Sequence, residues 1–259
     1  MAFPQLVLLF FVAMVAGTLN SVAGGGSFFT VPVMIFTGML PVQANTTSTV
    51  ALWPGSAASI GAYWRELLQV RLRLIFLLIG TSLIGSILGA ILLLHTPQAI
   101  FVRLLPYLLL MATLLFSLSG PITKKLHVHV RDFGQEAHIS QLAIIGISVT
   151  QFIIAIYGGY FGGGIGILML ATLALIGMEN IHSMNALKVL LATVINAVAS
   201  ATFIIANAVI WPQAILMIIG AIIGGYGGAY FARKIEQKWI RYFVMAMGLM
   251  MSIYFFIHP

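Results

Sequence analysis

Lys188 stands in an otherwise apolar run, residues 183–207, with two asparagines on its helical face. Asn185 and Asn196 lie three positions before it and eight positions after it, and an α-helix brings such positions to one side. An ammonium group among lipid chains costs about 2.5–3.5 kcal/mol on insertion scales, so a cavity inside the protein suits it better. A cation and two carboxamides in a cavity would bind an anion. Snorkelling of Lys188 to the interface and simple helix–helix hydrogen bonding are the alternatives.

Two glycine runs interrupt the apolar sequence, Gly24-Gly25-Gly26 and Gly162-Gly163-Gly164. Glycine accepts backbone angles that other residues resist, so each run predicts a broken helix. The short helix after each break would present N–H groups that suit an oxyanion, with Ser27 and Thr30 as candidate caps of the first. Asn20, four residues before the first run, either lines the site or caps carbonyl groups at the break.

Thr46 and Thr49 occupy the positions of the first half that correspond to the second-half stripe around Lys188. They share one helical face, and their hydroxyl groups could bind the same anion. Trp53 and Pro54 follow in the same segment. Because proline lacks an N–H group, this pair predicts a kink or a gating point beside the site.

The composition indicates which elements must position these residues. Of the 259 residues, 61% are hydrophobic and 7% are charged, and the mean hydropathy is +1.10. Such a chain has too little polar surface for a soluble domain, so an all-α polytopic membrane protein with a single membrane domain, 1–259, is expected. Eight apolar segments are long enough to cross a bilayer. Two short ones, 28–38 and 165–177, directly follow the glycine runs as broken helices.

The segment order long, short, long, long, long occurs twice, in residues 1–119 and 139–259, around a polar connector at 120–138. Ten of the twelve Lys and Arg residues lie in this connector and in loops 65–73 and 233–241. Cytoplasmic loops are rich in basic residues, and these three share a side only if each repeat crosses the membrane an odd number of times. We therefore predict two inverted-topology repeats, with both termini outside and a cytoplasmic connector.

Several classes of function are not expected from this sequence. The net charge of +7 fits basic cytoplasmic loops better than nucleic-acid binding. The chain has no cysteine, and His127 and His129 lack a firm third partner, so neither a disulfide nor a metal site is expected. Motifs of hydrolases and paired carboxylates at membrane depth are absent, so no enzyme and no cofactor are predicted. If transport is coupled to H⁺ or Na⁺, that ion must bind to a group other than a buried carboxylate.

The paired glycine pattern resembles the sulfite exporter TauE/SafE family. In the first half the matching residues are Ala23 to Ser27, Val31-Pro32, Gly38 and Asn45 to Ser48. In the second half they are Gly162 to Gly164, Gly177 and Asn185 to Lys188. The resemblance covers essentially the whole chain and implies transport of sulfite, sulfonates or related organosulfur anions across the bacterial inner membrane.

This chain departs from the family pattern at two positions. Many family members carry a second lysine where this chain has Thr49, and an acidic residue often stands at the position of Asn20. Both departures bear directly on the charge of the predicted site, and therefore on the substrate and the coupling ion.

We expect an inner-membrane secondary transporter, in the export direction, for sulfite or a related small anion, working by alternating access. Lys188 would supply charge, the asparagines and threonines hydrogen bonds, and the glycine runs backbone N–H groups. An anion channel on the same scaffold and a membrane accessory protein without transport activity are the alternatives. The sequence also allows a homo-oligomer in the bilayer.

Overall fold

The computed structural model describes residues 3–22, 25–130, 141–175, 178, 180–231 and 237–257. All regular secondary structure in these ranges is helical, which confirms the predicted all-α class. The helices are α1 (Phe3–Val22), α2 (Ser27–Phe36), α3 (Pro41–Ile60), α4 (Trp64–Leu67), α5 (Leu72–His95), α6 (Gln98–Val130), α7 (Gln141–Tyr160), α8 (Ile165–Leu175), α9 (Ile181–Ile205), α10 (Trp211–Phe231) and α11 (Gln237–Ile257). A 3₁₀ turn, Gly61–Tyr63, joins α3 to α4.

The two short helices begin directly after the glycine runs, as the sequence predicts. Gly25 has a φ of 116°, and Gly162 and Gly164 have φ values of 78° and 76°. These angles lie in the region that glycine adopts without a Cβ clash. The chain therefore breaks between α1 and α2 and again between α7 and α8. Gly24 lies outside the described residues.

Helix α6 extends past the end of its apolar segment, through Val130. The first part of the connector predicted at 120–138 is therefore helical, whereas residues 131–140 lie outside the described ranges. Polar residues mark where a helix leaves an apolar environment, and they do not by themselves end it. The helix therefore continues beyond the apolar segment that predicts it.

The outer faces of the helices are apolar, as a lipid-facing surface requires. Phe76, Ile84, Ile153 and Ile215 are all more than half exposed. In the described ranges, two helices are long and apolar enough to cross a membrane, Leu72–His95 and His182–Ile205; six further apolar stretches are shorter. The predicted eight full crossings therefore stay a prediction.

The helix packing of one half is repeated in the other. Helix α1 packs against α10 as α7 packs against α5, and α3 packs against α10 as α9 packs against α5. Helix α2 contacts α3 and α11, whereas α8 contacts α9 and α6. The exchange of five helices of the first half with five of the second reproduces each of these pairings. The exchanged pairs are α1 with α7, α2 with α8, α3 with α9, α5 with α10 and α6 with α11.

Helices α3 and α9 occupy equivalent places in the two halves and run antiparallel. Ser183, at the start of α9, donates a hydrogen bond to Gln69, beyond the C-terminal end of α3. Thr46, near the start of α3, donates to the carbonyl of Ala208, just past the end of α9. An axis that relates two antiparallel helices is perpendicular to both, which is the geometry of an inverted repeat. The packing supports the predicted inversion, while the membrane side of each end stays a prediction.

Glycines allow the paired helices to approach closely. A Cβ atom at Gly224 in α10 would overlap the backbone oxygen of Met14 in α1. A Cβ atom at Gly85 in α5 would come within 2.7 Å of the backbone oxygen of Phe152 in α7. Small residues at helix crossings are the usual means by which membrane helices gain van der Waals contact.

Candidate functional site

A cavity lies where the two helix breaks meet α3 and α9. Its volume is about 40 Å³, which is room for about three water molecules. Both halves of the chain contribute to its wall. The polar and glycine residues that line it are Asn20, Gly25, Ser56, Ser59, Gly162, Gly166, Lys188 and Asn196.

Lys188 reaches this cavity from α9 and is only 4% exposed. Its Nζ atom donates a hydrogen bond to Oδ1 of Asn185, at 3.0 Å. Glu66 is the only acidic residue among those described, and it lies in the short helix α4. The ammonium group therefore has a neutral partner, and an anion in the cavity would relieve the cost of burying its charge.

Asn185 and Asn196 have different places, although the sequence puts both on the face of Lys188. Asn196 lines the cavity, and its Oδ1 atom lies 3.7 Å from where a Cβ atom at Gly162 would be. Asn185 does not line the cavity; it holds the ammonium group of Lys188. In this conformation it positions the cation, and its predicted direct contact with substrate stays a prediction.

Asn20 both lines the cavity and caps the broken helix. Its Oδ1 atom accepts hydrogen bonds from the N–H groups of Gly25, at 3.1 Å, and Gly26, at 2.8 Å. Of the two roles that the sequence left open, Asn20 lines the cavity, and its oxygen caps N–H groups at the N-terminal end of α2. Since only the carbonyl oxygen of the side chain can accept these bonds, its NH₂ group is left to donate elsewhere.

The predicted caps of α2 are also corrected. Gly26 is the N-cap residue, and no side chain caps the helix from that position. Thr30 bonds instead to Ser48 in α3 and to the carbonyl of Gly26. Ser27 begins α2 and does not line the cavity. Asn20, in the preceding helix α1, accepts hydrogen bonds from two N–H groups at this break. The sequence analysis expected such groups to bind an anion.

The three glycines of the second run do not all have the same surroundings. Gly162 lines the cavity, whereas Gly163 and Gly164 pack against the ring of Phe28. The carbonyl of Gly163 accepts a hydrogen bond from the hydroxyl group of Tyr157, at 2.8 Å. Contact between these last two glycines and a substrate stays a prediction.

Thr46 and Thr49 lie away from the cavity in this conformation. The Thr46 hydroxyl donates to the carbonyl of Ala208 at 2.7 Å, and the Thr49 hydroxyl donates to the carbonyl of Asn45 at 2.9 Å. Neither residue lines the cavity. Their hydroxyl groups are already used in the packing of α3, and substrate contact by either stays a prediction.

Helix α3 instead presents Ser56 and Ser59 to the cavity, residues that the sequence analysis missed. They lie three positions apart, a spacing that shares one helical face, and this signal was available. Trp53 and Pro54 precede them within α3, which continues as one helix through Pro54 to Ile60. Neither lines the cavity, so their kink or gating role stays a prediction.

The donor set suits a small anion better than a metal ion. Among the described residues that line the cavity, Lys188 is the only charged one, and the polar side chains beside it are two carboxamides and two hydroxyls. In the part of the chain that the structure describes, no group of three or more His, Cys, Asp or Glu side chains could hold a metal ion.

Comparison with known proteins identifies the family. The model of the sulfite exporter TauE/SafE family matches residues 9–255. The chain belongs to the TauE/SafE family. It is therefore a member of a membrane transporter family and not of an enzyme family. The resemblance carried by the glycine runs is confirmed.

Curated TauE/SafE relatives span nearly the same length as this chain. A protein of Haemophilus influenzae named "Probable membrane transporter protein" is 32% identical, over 95% of this chain and 92% of its own length. The "Probable membrane transporter protein YfcA" of Escherichia coli K12 is 29% identical, over 95% and 87%. "Probable membrane transporter protein YunE" of Bacillus subtilis is 26% identical, over 95% and 94%. No solved structure matches the chain.

Proposed function

We propose that this protein is an inner-membrane secondary transporter for a small anion, with sulfite or a related organosulfur anion as its substrate and export as its direction. One observation carries the proposal: Lys188 is buried at a cavity where none of the lining residues that the structure describes is acidic. The family name supports the sulfur oxyanion, since it describes sulfite exporters.

Lys188 and Asn20 both bring hydrogen-bond donors to this cavity. An ammonium group has three N–H donors, and Lys188 directs one of them to Asn185. Asn20 uses its oxygen for backbone N–H groups, so its NH₂ group is the part that can meet a ligand. The oxygens of an oxyanion would accept from both groups at once, which explains why a cation and carboxamides converge here.

The position of the cavity supports alternating access. It lies between equivalent helices of the two halves and beside both helix breaks, where inverted-repeat transporters bind their substrates. Phe28 and Phe161 are each 1% exposed and pack beside these breaks. A relative movement of the two halves would expose the cavity to one side of the membrane and then to the other. H⁺ or Na⁺ remains the proposed coupling ion.

Flux measurements in liposomes test this proposal. We expect saturable uptake of sulfite by the reconstituted protein and accumulation against its gradient when a pH or Na⁺ gradient is imposed. Lys188→Ala should abolish uptake because it removes the charge, while its thermal unfolding in detergent stays close to that of the wild type. Arg103→Ala, which removes an exposed basic residue of α6, is the matched control and should transport normally.

Each alternative predicts a different result. An anion channel would conduct without saturating at low substrate concentration and would not accumulate the anion. A membrane accessory protein without transport activity would show no flux above that of empty liposomes. Uptake that is unchanged in Lys188→Ala would contradict the assignment of the site.

A further inference from the structure

The charge of the cavity comes from one residue. Lys188 contributes a single positive charge, and the other lining residues that the structure describes are neutral. The hydrogen-bond partner of its ammonium group, Asn185, is neutral as well. A ligand with one negative charge would therefore cancel the charge of the site.

Within the described ranges, the helices packed against α9 bring no second charge into the lining. Helices α3 and α8 contain no titratable side chain. Arg65 and Glu66 lie in α4, and Arg73 and His95 lie at opposite ends of α5. The remaining titratable residues on the described parts of these elements are Tyr63, Tyr157, Tyr160 and, on α9 itself, His182.

Asn20 occupies the position in the cavity where a charged side chain could replace a neutral one with the least change of shape. Two backbone N–H groups converge on its Oδ1 atom, an arrangement that would stabilise a carboxylate oxygen equally well. An aspartate would fit the same space and would cancel the charge of Lys188 across the cavity. The neutral carboxamide preserves the positive charge of the site for a ligand.

Lys188 is only 4% exposed, so little water contacts its side chain to stabilise an excess charge beside it. A monoanion paired with Lys188 leaves the site neutral. A dianion of the same shape leaves one negative charge buried without a partner, and burial of an unpaired charge is strongly unfavourable. The two ligands would present similarly placed oxygen atoms to the site, so charge is the main difference between them.

We propose that the site selects small monoanionic oxyanions over dianions of the same shape, with Asn20 as a residue that determines this specificity. This inference rests on the proposed function, because it concerns the same cavity. For sulfite, it makes the singly protonated hydrogensulfite the transported species. Singly charged sulfonates small enough for the cavity belong to the same class, and sulfate and thiosulfate are excluded.

Methanesulfonate and sulfate are the sharpest pair of probes. Both are tetrahedral and similar in size, but methanesulfonate carries one negative charge and sulfate two throughout the neutral pH range. We expect calorimetric titration of the purified protein to show at least tenfold tighter binding of methanesulfonate. Sulfate binding as tight as methanesulfonate binding, and lost in Lys188→Ala, would overturn the charge preference while leaving the anion site intact. Binding of neither probe, with sulfite transport unchanged in Lys188→Ala, would overturn both proposals.

Asn20→Asp tests the charge with almost no change in shape. The variant should keep its thermal stability, because the aspartate oxygen can accept the same two N–H bonds, and should lose methanesulfonate affinity by at least tenfold. Wild-type affinity in this variant would overturn the assigned role of Asn20. In liposomes, H⁺ coupling would affect both anions alike, so the ratio of wild-type sulfite uptake to methanesulfonate uptake should rise as the pH falls and hydrogensulfite accumulates. Equal pH dependence for the two anions would contradict the proposal.

Discussion

The side chain of Lys188 lies across Gly166, the second residue of α8. A Cβ atom at position 166 would come within 3.1 Å of Lys188 Cδ and 3.5 Å of its Cγ. Both residues line the cavity, so the absence of a side chain at Gly166 provides the space through which the lysine reaches it. The start of the second short helix therefore positions the cation by leaving room for it.

Gly166→Ala should weaken anion transport more than it weakens the fold. The added methyl group would push the aliphatic part of Lys188 away from α8 and shift its ammonium group relative to the cavity. We expect the KM for sulfite uptake to rise several-fold, because a displaced charge binds the anion less well. Gly80→Ala is the matched control, since a Cβ atom there meets nothing within 4 Å. An unchanged KM in Gly166→Ala would show that the lysine does not need this space.

Glycines at the helix crossings, unlike Gly166, should affect the stability of the fold more than transport. Gly224→Ala would force a Cβ atom into the backbone of Met14, and Gly85→Ala would place one 2.7 Å from the Phe152 oxygen. Overpacking of this kind costs about 1–3 kcal/mol. We expect both variants to unfold at lower temperature in detergent than the wild type, whereas Gly80→Ala should not. Wild-type unfolding temperatures for both would contradict the packing of α1 on α10 and of α5 on α7.

Thr46→Val separates a packing role from a ligand role. The hydroxyl group of Thr46 bonds to the carbonyl of Ala208 at 2.7 Å, and valine has nearly the same shape without that donor. We expect a loss of stability of about 0.6 kcal/mol, the average for hydrogen bonds between membrane helices, and at most about 1.7 kcal/mol, with little change in the KM for sulfite. A large rise in KM without a loss of stability would instead make Thr46 a substrate ligand.

The inverted topology can be tested because the natural chain has no cysteine. Leu68 follows α4 and is 69% exposed, whereas Ala206 is exposed at the opposite end of the bundle, just after α9. We expect a membrane-impermeant thiol reagent applied to intact cells to label Ala206→Cys, and to label Leu68→Cys only after the cells are opened. Labelling of both from outside, or the reverse pattern, would contradict the predicted orientation.

The sequence predicts most of the helices because their signals are local. Apolar segments of bilayer length and runs of three glycines act through neighbouring residues alone, and the breaks at Gly25 and Gly162 follow from them. Lys188 and Asn196 could also be predicted, since a charged residue in an apolar helix needs a polar environment wherever that helix packs.

The first-half wall of the cavity could not be predicted with the same certainty, because it depends on long-range packing. The bond from Thr46 to Ala208 fixes how α3 lies against the α9–α10 turn, and this register brings Ser56 and Ser59 to the cavity in place of Thr46 and Thr49. The position of Asn20 likewise depends on the geometry of the turn that brings Gly25 and Gly26 onto its oxygen. Residue spacing alone contains neither fact.

The central claim is that Lys188 binds the transported anion, and equilibrium binding of sulfite to the purified protein tests it most directly. Lys188→Gln removes the charge, and Arg103→Gln makes the same change at an exposed position of α6. The account predicts at least a tenfold loss of sulfite affinity in Lys188→Gln and wild-type affinity in Arg103→Gln, with both variants folded. Equal sulfite affinity in the wild type and in a folded Lys188→Gln variant would contradict it.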